Sequence, residues 1–157
     1  MKHEFIIEEA PNNYAAYVPD LPGVIATGKT REEVERRIRE GIEIYRLDYA
    51  WEKLHAAVLT LAEGSAGVRE RVADAYIGQL IHLDPEELPG SIQADFAALA
   101  EPLARVAAVK DEDRVAKMAA AINDFEAKQI AAKIVALYDE VARRYGWEAP
   151  QAVASGA

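Results

Sequence analysis

The chain contains no cysteine, which excludes disulfides, thiolate nucleophiles and cysteine-ligated zinc. It has no apolar window near the ~18 residues that a membrane-crossing helix requires, so no membrane partner is expected. Positive charge is short: 18 Lys and Arg face 27 Asp and Glu, for a formal net charge of -9. So acidic a body repels phosphate backbones, which disfavours binding to DNA or RNA. The opening Met-Lys-His-Glu-Phe-Ile-Ile-Glu-Glu carries acids inside its only apolar run and does not read as a signal peptide. What remains is 157 residues, 51% hydrophobic and 29% charged, the make-up of a soluble, cytoplasmic globular protein of one domain or two small modules.

Catalytic constellations are missing as well. There is no phosphate-binding glycine loop, and Ser65 and Ser91 lack the context of an activated nucleophile. His3, His55 and His82 stand far apart, without the paired spacing of a helical metal site. Asp111-Glu112-Asp113 imitates part of a calcium loop, but the glycine and distal glutamate are absent. A charged helix start accounts for it better. Two-metal hydrolysis would need converging carboxylates. Glu8 and Glu9 are consecutive and point to opposite faces of a strand, while Glu4 and Glu8 lie roughly 13 Å apart along one face. The sequence therefore predicts no enzyme, no cofactor and no metal.

The grammar changes near residue 48. Before it, His3–Glu9, Tyr14–Val18 and Val24–Thr27 read as short strands, separated by Pro11-Asn12-Asn13 and by Pro19-Asp20-Leu21-Pro22-Gly23. In the first turn asparagine tolerates a left-handed backbone and proline fixes φ. In the second, proline and glycine set the backbone and Asp20 can hydrogen-bond the main chain two residues on. Thr30 and Glu33 then form a capping box, followed by a stripe of Val34, Ile38, Gly41, Ile42 and Tyr45 at helical spacing. The arginines of this helix alternate with glutamates, as on a solvated face. Nothing between Ile42 and Leu61 breaks a helix, so the helix either runs straight into the second module or bends near Asp48–Ala50, and the bend is the favoured expectation.

After residue 48 the pattern is helical throughout. The stripes are Trp51, Leu54, Val58 and Leu61; Val68, Val72, Tyr76, Leu80 and Leu83; Ile92, Phe96, Leu99, Leu103 and Val106; Val115, Met118 and Ile122; and Ile130, Ile134, Leu137, Val141 and Tyr145. Asp84-Pro85 opens a helix, Asn123 or Asp124 caps the last one, and Gly146 is expected to end it. The predicted fold class is α+β: a small three-stranded antiparallel sheet with one helix, then an all-helical bundle. The domains are residues 1–48, 49–148 and a flexible tail at 149–157.

The run Tyr14-Ala-Ala-Tyr17-Val18-Pro19-Asp20-Leu21-Pro22-Gly23-Val24, followed by Thr27-Gly28-Lys29-Thr30-Arg31-Glu32-Glu33, resembles the HicB-like antitoxin family. The resemblance implies a partial ribonuclease-H-like fold without its activity. It further implies a protein that covers the active surface of a small messenger-RNA-cleaving toxin. Family members often add a DNA-binding tail. The long helical region here has no β-ribbon, so operator binding is disfavoured.

Tyr17, Asp20 and Leu21 are the partner-binding candidates, read as exposed-turn positions. An acidic inhibitor would be steered toward a basic ribonuclease. The alternative is an oligomeric adaptor or regulator whose helices bind another protein. A module of ~48 residues buries little apolar surface alone, so it is expected to dock on the helical region, to pair its sheet edge with a second copy, or both; a homo-oligomer is expected, a dimer first.

Overall fold

Turn residues punctuate the first thirty positions, and three strands fall between them. The computed structural model describes residues 3–107 and 113–153. Strands β1 (Ile6–Ala10), β2 (Asn13–Tyr17) and β3 (Ile25–Gly28) pair antiparallel in the order β1-β2-β3. The β1–β2 connection contains no residue with positive φ. Pro11 shapes that turn, and no asparagine adopts the left-handed conformation. β1 also begins three residues later than the sequence suggests, at Ile6.

The first helix, α1 (Arg31–Glu63), opens on the expected box: the Glu33 N–H donates to Thr30 Oγ1 at 3.1 Å. The Glu33 carboxylate reaches one residue further back than a standard box, accepting from the Lys29 N–H at 2.8 Å. Val34, Ile38 and Ile42 are buried beneath the sheet residue Ala16 and the turn residues Val18, Leu21 and Val24. Gly41 belongs to this contact, since a Cβ there would lie 3.3 Å from Val24 Cγ1. Tyr45, read as part of the stripe, is exposed. Helical backbone runs unbroken through the expected bend at 48–50.

The chain divides into two compact units, Met1–Asp48 and Tyr49–Ala157, with α1 contributing residues to both. In the second unit α1 buries Ala50, Leu54, Ala57 and Leu61. It is followed by α2 (Val68–Ala75), a π-helical turn (Tyr76–Leu80), a 3-10 turn (Pro85–Glu87), α3 (Gly90–Ala107), α4 (Arg114–Ala121) and α5 (Asp124–Val153). α2 packs on α4 and α5, and α3 on the same two helices. Their predicted stripes supply this core, through Val72, Tyr76, Leu80, Phe96, Leu99, Leu103, Met118, Ile134, Leu137 and Val141. The resulting arrangement is α+β, a three-stranded antiparallel sheet followed by helices.

Two details differ from the sequence reading, and a third settles one of its alternatives. Asp84 caps only one 3-10 turn, its carboxylate accepting the Glu86 N–H at 2.9 Å; Leu88-Pro89-Gly90 stops it at once. Asn123, rather than Asp124, caps α5 in a reciprocal box with Glu126 at 3.0 and 2.8 Å. Gly146 does not end α5, which continues to Val153; glycine in a helix interior costs about 1 kcal/mol relative to alanine but keeps helical φ and its backbone bond. Asp111 and Glu112 of the calcium-loop imitation lie outside the described residues, as do 154–157 of the expected tail.

Candidate functional site

Side chains alternate across a strand, so each apolar strand of the sheet must choose which residues to bury. Ile7, Tyr14, Ala16 and Ala26 face the core beneath α1. Their neighbours Ile6, Tyr17 and Ile25 point the other way, and the register sets them side by side: Ile6 opposite Tyr17, and Tyr17 opposite Ile25. Ile6 is 44% and Ile25 75% exposed, with Tyr17 half-buried between them. The next row on the same face is Glu8, Ala15 and Thr27. This open face thus carries an apolar row three strands wide, or about 10 Å from first strand to last.

The three sequence candidates separate here. Tyr17 sits at the centre of the apolar row. Asp20 is exposed at the tip of the following turn. Among the described residues its carboxylate takes part in no hydrogen bond, so the expected Asx turn is not formed. Leu21 is not an exposed position: it is 6% exposed and belongs to the core.

The turn closes through its main chain. Val18 N–H donates to Val24 O at 3.2 Å, Leu21 N–H to Val18 O at 3.2 Å, and Val24 N–H to Leu21 O at 3.1 Å. That closure swings the Leu21 side chain inward as a plug. Gly23, at φ 94°, supplies the left-handed residue the turn needs. Sequence reasoning missed Ile6 and Ile25. The signal was present, because consecutive apolar residues such as Ile6-Ile7 and Val24-Ile25 cannot both face the core of a one-sided sheet.

The two sheet edges differ. The Val18–Val24 bond turns the even-numbered residues of β2 toward β3 and the odd-numbered ones toward β1. The register then directs the N–H and C=O of Ile25 and Thr27 outward on β3, and those of Ile7 and Glu9 outward on β1. Thr27 O is already capped, accepting from Arg37 Nη1 at 2.6 Å. Arg37 is in turn held by Glu33 at 2.8 Å. The Lys29 N–H bond, foremost, and the nearby Arg37, Arg36 and Lys29 charges hold the Glu33 carboxyl below its ordinary pKa. Among the described residues nothing caps Ile7 or Glu9, and the side chains of Ile6, Glu8, Glu9 and Ala10 are all exposed.

The carboxylates of this surface do not converge. The register separates Glu8 from Glu9 onto opposite faces. Among the described residues no group of three or more His, Asp or Glu side chains is placed to hold a metal ion. In the second unit His55 is half-buried, stacked on Trp51 with ring centres 5.0 Å apart, and its Nδ1 lies 3.3 Å from the Tyr138 hydroxyl. Both contacts read as packing at a helix boundary. No described helix is long and apolar enough to cross a membrane.

No family model matches the chain, and no solved structure matches it significantly. A curated relative does: a UPF0150 protein of Helicobacter pylori, 43% identical over 49 residues, covering 31% of this chain and 68% of the relative. The relative's name assigns it no activity. The matched stretch is about as long as the first unit, and it covers more than two thirds of the relative. On that match the chain belongs to the UPF0150 family.

Proposed function

We propose that the chain is a non-catalytic, HicB-like antitoxin-type protein that binds and masks a small basic mRNA-cleaving toxin. The observation that carries this reading is the apolar row Ile6–Tyr17–Ile25, solvent-exposed on a sheet whose other face is closed by α1. A one-sided antiparallel sheet ordinarily turns polar residues to water, and exposed apolar rows of this kind mark protein contacts. Glu8 lies in the adjoining row and Asp20 on the adjoining turn. An enzyme that grips RNA is basic where phosphates lie, so acids around an apolar contact would speed encounter and favour that partner. The UPF0150 relationship supports the same reading at the level of the family.

The test is co-expression of the full chain with any small basic protein encoded beside its gene, followed by messenger-RNA cleavage assays on the purified pair. Restored growth and inhibition at one-to-one stoichiometry are expected. A neighbour that does not cleave RNA, or cleavage that continues at saturating amounts of this chain, overturns the proposal.

A further inference from the structure

We infer that the outer edge of β1 is a docking site for an extended, basic segment of a partner protein, which adds a fourth strand to the sheet. An edge strand displays unpaired N–H and C=O groups and is a template for another chain unless something blocks it. On the β3 side the outward carbonyl of Thr27 is occupied by Arg37, itself pinned by Glu33. On the β1 side the outward groups of Ile7 and Glu9 have no such cap among the described residues, and the side chains of Ile6, Glu8, Glu9 and Ala10 are exposed. The β3 edge is thus capped at one carbonyl and carries no acid in Ile25–Gly28, whereas the β1 edge is uncapped at both residues and lies among carboxylates.

Charge selects the occupant. Residues 4–10 contain three acids, Glu4, Glu8 and Glu9, and no Lys or Arg. Glu8 and Glu9 lie on opposite faces, so an incoming strand meets a carboxylate on whichever face it presents its bases. A second copy of this chain is a poorer fit. Antiparallel self-pairing with full overlap of Ile6–Ala10 sets Glu8 directly opposite the same residue of the other copy, and like charges directly opposite are destabilising. Head-to-tail pairing of β1 with β3 meets the Arg37 cap. A strand bearing lysine or arginine satisfies both the open backbone and the carboxylates, while Ile6 extends the apolar row beside it.

The inference rests on the toxin-masking proposal only for the identity of the segment's owner, and its test does not use a toxin. The probe is a capped eight-residue peptide alternating lysine and valine, added to the ¹⁵N-labelled full chain while amide exchange is followed by NMR. At saturation the Ile7 and Glu9 amides should exchange at least tenfold more slowly, with those of Ile25 and Thr27 unchanged. N-methylation of alternate peptide amides should abolish the effect.

The double variant Glu8→Lys, Glu9→Lys should bind the lysine peptide at least tenfold more weakly and accept a glutamate–valine peptide instead. That reversal of preference shows that the variant remains folded. Equal protection on β3, no protection anywhere, or equal binding of both peptides by the native chain overturns the inference. So does a peptide-free dimer in light scattering whose Ile7 and Glu9 amides are already protected. A positive peptide result beside a failed toxin assay would leave the edge site standing and remove only its owner.

Discussion

Replacing Leu21 by alanine distinguishes a plug of the core from a contact at the tip of a turn. The side chain is 6% exposed and packs in the cluster with Val18, Val24, Val34 and Ile38. Burying a leucine contributes about 1.5–3 kcal/mol in transfer free energy, and the cavity left by truncation adds to that. The turn can relax around the loss, which places Leu21→Ala near the low end of the usual range, at about 2–3 kcal/mol. Amide exchange at Ala16 and Val24 reports on this site. Opening of the first unit should become about 30- to 150-fold more frequent, since 1.4 kcal/mol is tenfold in an equilibrium constant. Asp20→Ala, on the exposed tip of the same turn, should stay within about 0.5 kcal/mol. A Leu21→Ala change below threefold would show that the turn does not plug the core.

Glu33→Gln tests the helix opening through pH. A carboxyl whose folded pKa is lowered adds stability that is present above its unfolded pKa and lost as pH falls through the lowered value. In urea unfolding followed by NMR, the variant should be less stable than wild type at neutral pH, and the difference should shrink toward zero in acid; a pH-independent difference would contradict this. Two glycines should respond with opposite signs. Gly23→Ala should destabilise by about 1–2 kcal/mol, because φ 94° strains an L side chain. Gly146→Ala should stabilise α5 by about 0.5–1 kcal/mol, because its φ is not positive and nothing lies within 4 Å of the added Cβ. Thermal unfolding measures both. Ile25→Thr should leave stability within about 0.5 kcal/mol at a 75% exposed strand position, yet weaken partner binding at least tenfold in titration calorimetry if the open face is the contact.

Local signals carried the fold further than they carried the site. Turn residues located the three strands, the Thr30–Glu33 pair located the start of α1, and helical periodicity found Val72, Phe96, Leu103 and Ile134 in the core. Each depends on residues within a turn or two of one another. Gly146 failed as a stop signal because glycine permits a left-handed cap without requiring it. Leu21 failed because its direction depends on the Val18–Val24 bond, a contact that pattern reading does not supply. The edge difference was equally hidden. Arg37 looks like one more solvated arginine in a mixed helix, and only the register shows that it reaches the outward carbonyl of Thr27.

A three-stranded sheet covered by one helix has three surfaces left over: a second face and two edges. Solubility alone would treat them alike, with polar side chains on the face and a block on each edge. This sheet does not. The Glu33–Arg37 pair caps the Thr27 carbonyl of the β3 edge, which carries no acid, while the β1 edge keeps its backbone open between carboxylates. The face between them holds isoleucine at both flanks of Tyr17. A self-associating sheet gains nothing from acids on its open edge, and a merely soluble one gains nothing from Ile25 in water. A partner that is basic along an extended segment and apolar beside it is served by both.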